Sequence, residues 1–306
     1  ESWFDDVAMY ATQPHPGPAP GTPQALSATS IRWAFTDNSN NEIGFKALDA
    51  ANNIKATSGA LTGTGSTGAI DEGGLAPNTA YTRTLRAFNG SLDSFSSTAV
   101  TKWTLAAAPT TGAIVCDKPV DVWTNAAQFT FTAVGGFGAG TVAGYRYVWD
   151  QNATYSFSGT ETVWDSGDLP LPVGSEGSWY LHVQALNGEG AASGTLDLGP
   201  YKFDGTGPEN PGTATETGGA QNDTVQSAVS DPAFTWPAGT DALSGIQGYS
   251  VYFGDDSSGT SETFVTSAAY DPAGVSAGGT YYLRVRARDG AGNDADEWAT
   301  IFTFIY

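Results

Sequence analysis

Along most of this chain apolar and polar side chains alternate with period two, the pattern of strands that rest one face on a core. Tyr81-Thr-Arg-Thr-Leu85-Arg-Ala87, Trp179-Tyr-Leu181-His-Val183-Gln-Ala185 and Tyr281-Tyr-Leu283-Arg-Val285-Arg-Ala287 each carry one apolar parity and one mostly polar parity. Each has an earlier companion with aromatic residues at alternate positions: Ile31-Arg-Trp33-Ala-Phe35, Phe129-Thr-Phe131 and Phe234-Thr-Trp236. The pairs recur at intervals of roughly a hundred residues, the size of one small β-sandwich. No sustained helical periodicity interrupts them. The pattern therefore predicts an all-β chain of three tandem sandwiches.

Two segments break the alternation. In residues 1–10, Trp3, Val7 and Met9 share one parity and Phe4 and Tyr10 the other, so a strand here is apolar on both faces and needs cover on both. Residues 11–23 hold five prolines, which favour an extended path of about 3.1 Å per residue and a reach of roughly 35–40 Å. At the other end Trp298, Ile301, Phe302, Phe304, Ile305 and Tyr306 also populate both parities, which marks a candidate groove or edge. Joining the two ends predicts strand donation: residues 1–10 of one subunit add to a sheet of an identical neighbour, giving a head-to-tail homopolymer. The expected organisation is a donor strand over 1–10, a proline-rich linker over 11–20, and sandwiches over 21–106, 107–204 and 205–306.

Composition narrows the class of partner. The 306 residues include 39 Gly and 16 Pro, with 12% aromatic and 14% charged residues, as expected for short strands joined by turns. A net charge of -20 repels phosphate backbones and anionic membrane surfaces, so neither nucleic acid nor membrane insertion is expected. No apolar run approaches the ~18 residues of a membrane span. The single Cys116 cannot form an internal disulfide. A first residue of Glu is what a processed mature form or a fragment would show.

Candidate chemistry is sparse. His15 lies in the proline-rich spacer, and His182 occupies the polar parity of its strand, where it is expected to face outward. Cys116 reads as a small packed residue rather than a nucleophile. No HExxH, CxxC or phosphate-binding glycine loop occurs, and the chain is expected to be neither an enzyme nor a cofactor carrier. Asp37, Asp289 and Asp294 sit in oxygen-rich turns that could ligate Ca²⁺, although Asp and Asn are also ordinary turn residues and neither turn matches an EF-hand. Sequons at Asn89, Asn152 and Asn222 are candidate glycan acceptors.

Three groups of residues carry a resemblance. Trp33-Ala-Phe-Thr-Asp37-Asn-Ser-Asn-Asn41-Glu42-Ile-Gly44-Phe45 with Leu75-Ala-Pro77-Asn-Thr79-Ala-Tyr81 resembles the early tryptophan strand and tyrosine corner of fibronectin type III domains. Asp241-Ala-Leu-Ser244-Gly245 with Arg288-Asp289-Gly-Ala-Gly292-Asn293 is similar to bacterial immunoglobulin-like repeats. The middle third, with Tyr145-Arg-Tyr147-Val-Trp149-Asp150 and Gly199-Pro-Tyr201-Lys-Phe203-Asp204, matches more loosely. The resemblance implies an extracellular or cell-surface, bacterial protein and is specific for fold alone, because this architecture hosts adhesins, spacers and enzyme appendages alike. In addition, Trp3-Phe-Asp-Asp6-Val-Ala-Met-Tyr10 looks like the closing strand of jelly-roll carbohydrate-binding modules. Two readings follow: a fibre subunit polymerised through residues 1–10, or, as the alternative, a spacer or adhesin fragment of a larger secreted carbohydrate-binding protein.

Overall fold

A computed structural model of the chain describes residues 16–90 and 92–306, so the proposed donor residues Trp3, Phe4, Val7, Met9 and Tyr10, and His15 in the spacer, lie outside the described residues. Everything described is strand and loop, and no helix among these residues is long and apolar enough to cross a membrane.

The first unit packs two sheets face to face. Its strands are Ala19–Pro20 (β1), Gln24–Ser27 (β2), Ser30–Thr36 (β3), Gly44–Leu48 (β4), Ile54–Gly59 (β5), Thr67–Glu72 (β6), Ala80–Asn89 (β7), Leu92–Asp93 (β8) and Val100–Trp103 (β9). β6 takes one edge of β3 while β1 and β2 share the other, and the facing sheet runs β5-β4-β7 with β8 and β9 following along the far side of β7. Ile31, Trp33 and Phe35 point inward from β3 against Phe45, Ile70, Leu85 and Ala87, as their common parity demands.

The second unit comprises Ile114–Cys116 (β10), Trp123–Thr124 (β11), Gln128–Ala133 (β12), Gly144–Asp150 (β13), Val163–Trp164 (β14), Leu169–Pro172 (β15), Gly177–Leu186 (β16) and Ala192–Phe203 (β17). The third comprises Thr215–Glu216 (β18), Thr224–Val225 (β19), Phe234–Thr235 (β20), Ile246–Gly254 (β21), Phe264–Val265 (β22), Ala269–Tyr270 (β23), Thr280–Asp289 (β24) and Ala299–Ile305 (β25). They share one topology, β10-β12-β15 against β11-β17-β16-β13-β14, and β18-β20-β23 against β19-β25-β24-β21-β22. In both, the first strand breaks, changes sheet and pairs in parallel with the last, β11 with β17 and β19 with β25. Each unit buries its own core, built on Phe129 and Phe131 in the second and on Phe234, Tyr249 and Leu283 in the third.

One corner recurs in three chemistries. Tyr81 accepts a hydrogen bond at its hydroxyl from Ala76 N (2.8 Å), Tyr281 donates from its hydroxyl to Ala277 O (2.9 Å), and in the second unit Trp179 donates from Nε1 to Ser175 O (2.9 Å). The indole thus ties the turn to the following strand where the other units use tyrosine.

Three expectations need correction. Ala19 and Pro20 are not linker: they pair with Thr36 and Phe35 as β1, because proline is tolerated at a sheet edge where its missing N–H is not needed. Ala106, placed at the end of the first unit, is buried in the core of the second. The carboxyl-terminal residues Trp298, Ile301, Phe302, Phe304, Ile305 and Tyr306 do not form an open groove, since β25 runs between β24 and β19 with Thr224 opposite Phe304 and Val225 opposite Ile305. Apolar residues fall on both parities because of a bulge. Leu283 faces Phe302 and Arg284 faces Thr300, leaving Ile301 as the inserted residue, so that Ile301 and Phe302 both reach the core.

Candidate functional site: the joints between units

Two joints repeat one device. After each of the three long strands β7, β16 and β24 the chain turns on Asx-Gly or closes on it: Asn89-Gly90, Asn187-Gly188 and Asp289-Gly290. At the first joint the buried Asn187 accepts Glu189 N (3.0 Å) and Ala191 N (2.8 Å) at Oδ1, which fixes its own hairpin, and donates from Nδ2 to Thr104 O at 2.9 Å. Thr104 is the residue directly after β9. At the second joint Asn293 donates from Nδ2 to Asp204 O, also at 2.9 Å, and Asp204 is the residue directly after β17. A side-chain amide from the hairpin of each following unit therefore holds the carbonyl that ends the preceding one.

Further contacts flank each amide. Asn78, in a left-handed conformation (φ 43°) that Asn tolerates, donates to Gly138 O at 2.6 Å and accepts Gly188 N at 2.7 Å, while Gly140 N donates to Pro77 O. Lys102 pairs with Glu189 across this joint. Gly188 lies flat against the Trp103 ring, where an added Cβ would come within 2.7 Å of it. Across the second joint Ser244 N donates to Asp204 Oδ2 at 3.2 Å and Glu176 accepts from Gly205 N (3.0 Å) and Thr206 Oγ1 (2.5 Å), while within the third unit Asn210 ties its entry segment down by donating to Glu297 O and accepting from Ala287 N. Buried amide–carbonyl bonds of this kind are costly to leave unmade, which resists bending.

The second joint also gathers charge. Carboxylate oxygens of Asp204, Asp241 and Asp289 lie within 4.8 Å of one another, Asp204 and Asp289 being buried. A cavity of about 380 Å³ opens beside them, lined in part by Glu176, Asp204, Glu209 and Asp241. Hard oxygen donors in this number suit a divalent cation such as Ca²⁺.

The structure distributes the residues singled out in the sequence among different sites. Asp289 enters this cluster. Asp37 lies in the first unit against Glu42, and Asp294 is held by Arg288 (2.7 Å) and Arg286 (3.5 Å), which keep its carboxyl below the usual range. Asn89 donates from its side chain to Asn41 O, Asn152 donates to Asp150 Oδ2, and Asn222 accepts Thr303 N. Burial pushes the half-buried Cys116 thiol up to about 11, which leaves little thiolate at neutral pH. In the sequence Asp204, Asp241, Asn78 and Asn293 stand out only as members of the motifs that carry the resemblance, and Asn187 does not stand out at all, although the repeated Asx-Gly after each long strand is a visible signal for the hairpins.

His182 departs from its expected exposure. It does project from the outer face of its sheet, yet it is 0% exposed because residues 151–162 fold over it. Tyr155 and Tyr180 stack on it at 5.6 and 6.5 Å, and its ring nitrogens meet Asp197 Oδ1 (2.6 Å) and Asp150 Oδ1 (3.3 Å). Parity set the direction of the side chain, and a distant loop set its burial.

Strand order and joints define the class: three tandem fibronectin III-like and immunoglobulin-like β-sandwiches. No protein-family model matches the chain. Among curated proteins it is similar to Exoglucanase B of Cellulomonas fimi, 28% identical over 290 residues, covering 90% of this chain and 24% of that protein. The chain thus spans about a quarter of the length of the relative it matches. Among solved structures it is similar to the FN1-FN3 domains of chicken CNTN1 (14% identity, 94% of this chain and 99% of that one, TM-score 0.31). It is likewise similar to a three-domain segment of titin (12% identity, 93% and 99%, TM-score 0.35). The fold follows from the strand orders and registers, not from these two likenesses.

Proposed function

We propose that the chain is a non-catalytic spacer of a larger secreted bacterial protein that acts on polysaccharide, holding the parts on either side of it at a set distance. The repeated joint carries this reading: a device that twice fixes the end of one sandwich to the next serves separation. Similarity to an exoglucanase four times its length supports a carbohydrate-active context. With ten-residue strands of ~33 Å and loops at both poles, three units in line would span roughly 110–120 Å. Small-angle scattering of the chain should give a maximum dimension in that range, and Asn187→Ala with Asn293→Ala should broaden the distance distribution. A compact particle, or an unchanged distribution in the double variant, would refute the reading.

A further inference from the structure

Each joint is built by two loops of the following unit: the one between its second and third core strands, which supplies Gly138 and Gly140 or Asp241 and Ser244, and the hairpin after its ten-residue strand (β16 or β24), which supplies Asn187 or Asn293. The first unit presents the same two loops, described over residues 37–43 and over 89–90 with 92–95, at the pole where the described chain begins. They already grip that entry: Asn38 donates from Nδ2 to Gly17 O at 3.0 Å, and Gly17 lies so close to Phe95 that an added Cβ would come within 2.4 Å of its carbonyl oxygen. Around this grip Ile43, Leu92 and Phe95 are 57%, 42% and 72% exposed. Their loops are tied together, since Ile43 N donates to Phe88 O, Leu92 pairs with Asn89, and Asn89 reaches Asn41 O. At the other two poles the corresponding loops are covered by the preceding unit.

We propose that this pole is a third joint of the same kind, and that the apolar side chains of residues 1–10 of the same chain (Trp3, Phe4, Val7, Met9 and Tyr10) seat on Ile43, Leu92 and Phe95. The length of chain decides between this seat and more distant ones. Residues 11–15 span at most ~18 Å, enough to fold back over the pole but not to pass the ~33 Å length of the first unit to reach the second. Five large apolar residues in ten match an apolar seat better than solvent. The inference extends the spacer reading, because a filled pole would fix whatever precedes residue 1 as the inner joints fix their units.

Hydrogen–deuterium exchange of the 306-residue chain tests it, with a photo-crosslinking side chain placed at Phe95 in a second sample. The expected result is that amides of residues 2–10 exchange at least about tenfold more slowly than an open chain. That protection should vanish in Ile43→Asp with Phe95→Asp, while peptides of β7 and β16 keep theirs, and crosslinks should join Phe95 to residues 1–10 at monomer mass. Free exchange of residues 2–10 in the intact chain would overturn the proposal, as would protection that the double variant leaves intact. Crosslinks at dimer mass that grow with concentration would assign the seat to a second copy and overturn it equally. Scattering of the same samples reads the inner joints, so a flexible spacer with a filled pole, or a stiff one with an empty pole, can be told apart.

Discussion

Replacing Asp37 by Asn should stabilise the first unit at neutral pH and leave it unchanged in acid. Asp37 is 0% exposed and Glu42 8% exposed; Asp37 Oδ1 accepts Ser39 N at 2.8 Å, but Asp37 Oδ2 and Glu42 Oε2 are buried without a donor among the described residues. Burial, followed by the charge and hydrogen bond of Glu42, raises Asp37 above its ordinary value of 3.8, against the opposing Ser39 N–H. An acid whose folded value is raised binds its proton more tightly in the folded chain, so the stability it contributes is complete below 3.8 and falls as pH rises through the higher folded value. Once ionised, the buried Asp37 carboxylate lacks full solvation and is repelled by the charge of Glu42. An amide keeps the Ser39 bond through its oxygen and turns an N–H toward Glu42 at every pH. A hydrogen bond to a charged acceptor is worth ~1.5–3 kcal/mol, of which geometry adapted to two oxygens should realise about 1–2 kcal/mol at pH 7.5. In a unit of this size that is an upward shift of about 4–8 °C per kcal/mol. Urea unfolding at pH 4 and pH 7.5, followed by hydrogen exchange of β3 and β7 peptides, separates the first unit from the others. A loss of stability at pH 7.5, or an equal gain at both pH values, would refute the reasoning.

Other perturbations probe the remaining features. Glu72 lies buried between Arg83, paired at 2.5 Å, and Trp33 Nε1 at 2.8 Å, so Glu72→Gln, which strands a buried guanidinium, should cost about 3–5 kcal/mol in urea unfolding of the first unit; a loss below 1 kcal/mol would show the pair to be dispensable. Gly248→Ala places a Cβ 2.4 Å from Val265 O, a backbone atom that cannot swing aside, whereas Gly144→Ala meets Trp164 O at 3.0 Å; thermal melts should show the larger drop for Gly248→Ala, and equal drops would count against the close approach of β22. His182→Leu removes both hydrogen bonds to Asp150 and Asp197 and should cost about 1–3 kcal/mol in the second unit while speeding exchange of residues 151–162; unchanged exchange there would mean that the histidine does not hold the loop.

Period-two alternation determined most of the architecture before any tertiary contact was considered. It placed Trp33, Phe131 and Leu283 in cores because strand parity is a property of neighbouring residues, whereas the Tyr81 corner came from the resemblance carried by residues 75–81. What failed was whatever depended on cover. Ile301 and Phe302 are both buried because of a bulge set by pairing with β24, and β25 lost its supposed open edge to β19, some eighty residues earlier in the chain. His182 lies under a loop more than twenty residues away. The joints belong wholly to tertiary structure: Asp204, Asp241 and Asp289 come from three separate segments, and no local pattern records that the end of β17, a loop before β21 and the end of β24 meet at one point. Alternation says which way a side chain points. Only the packing of one unit on the next decides what it meets there.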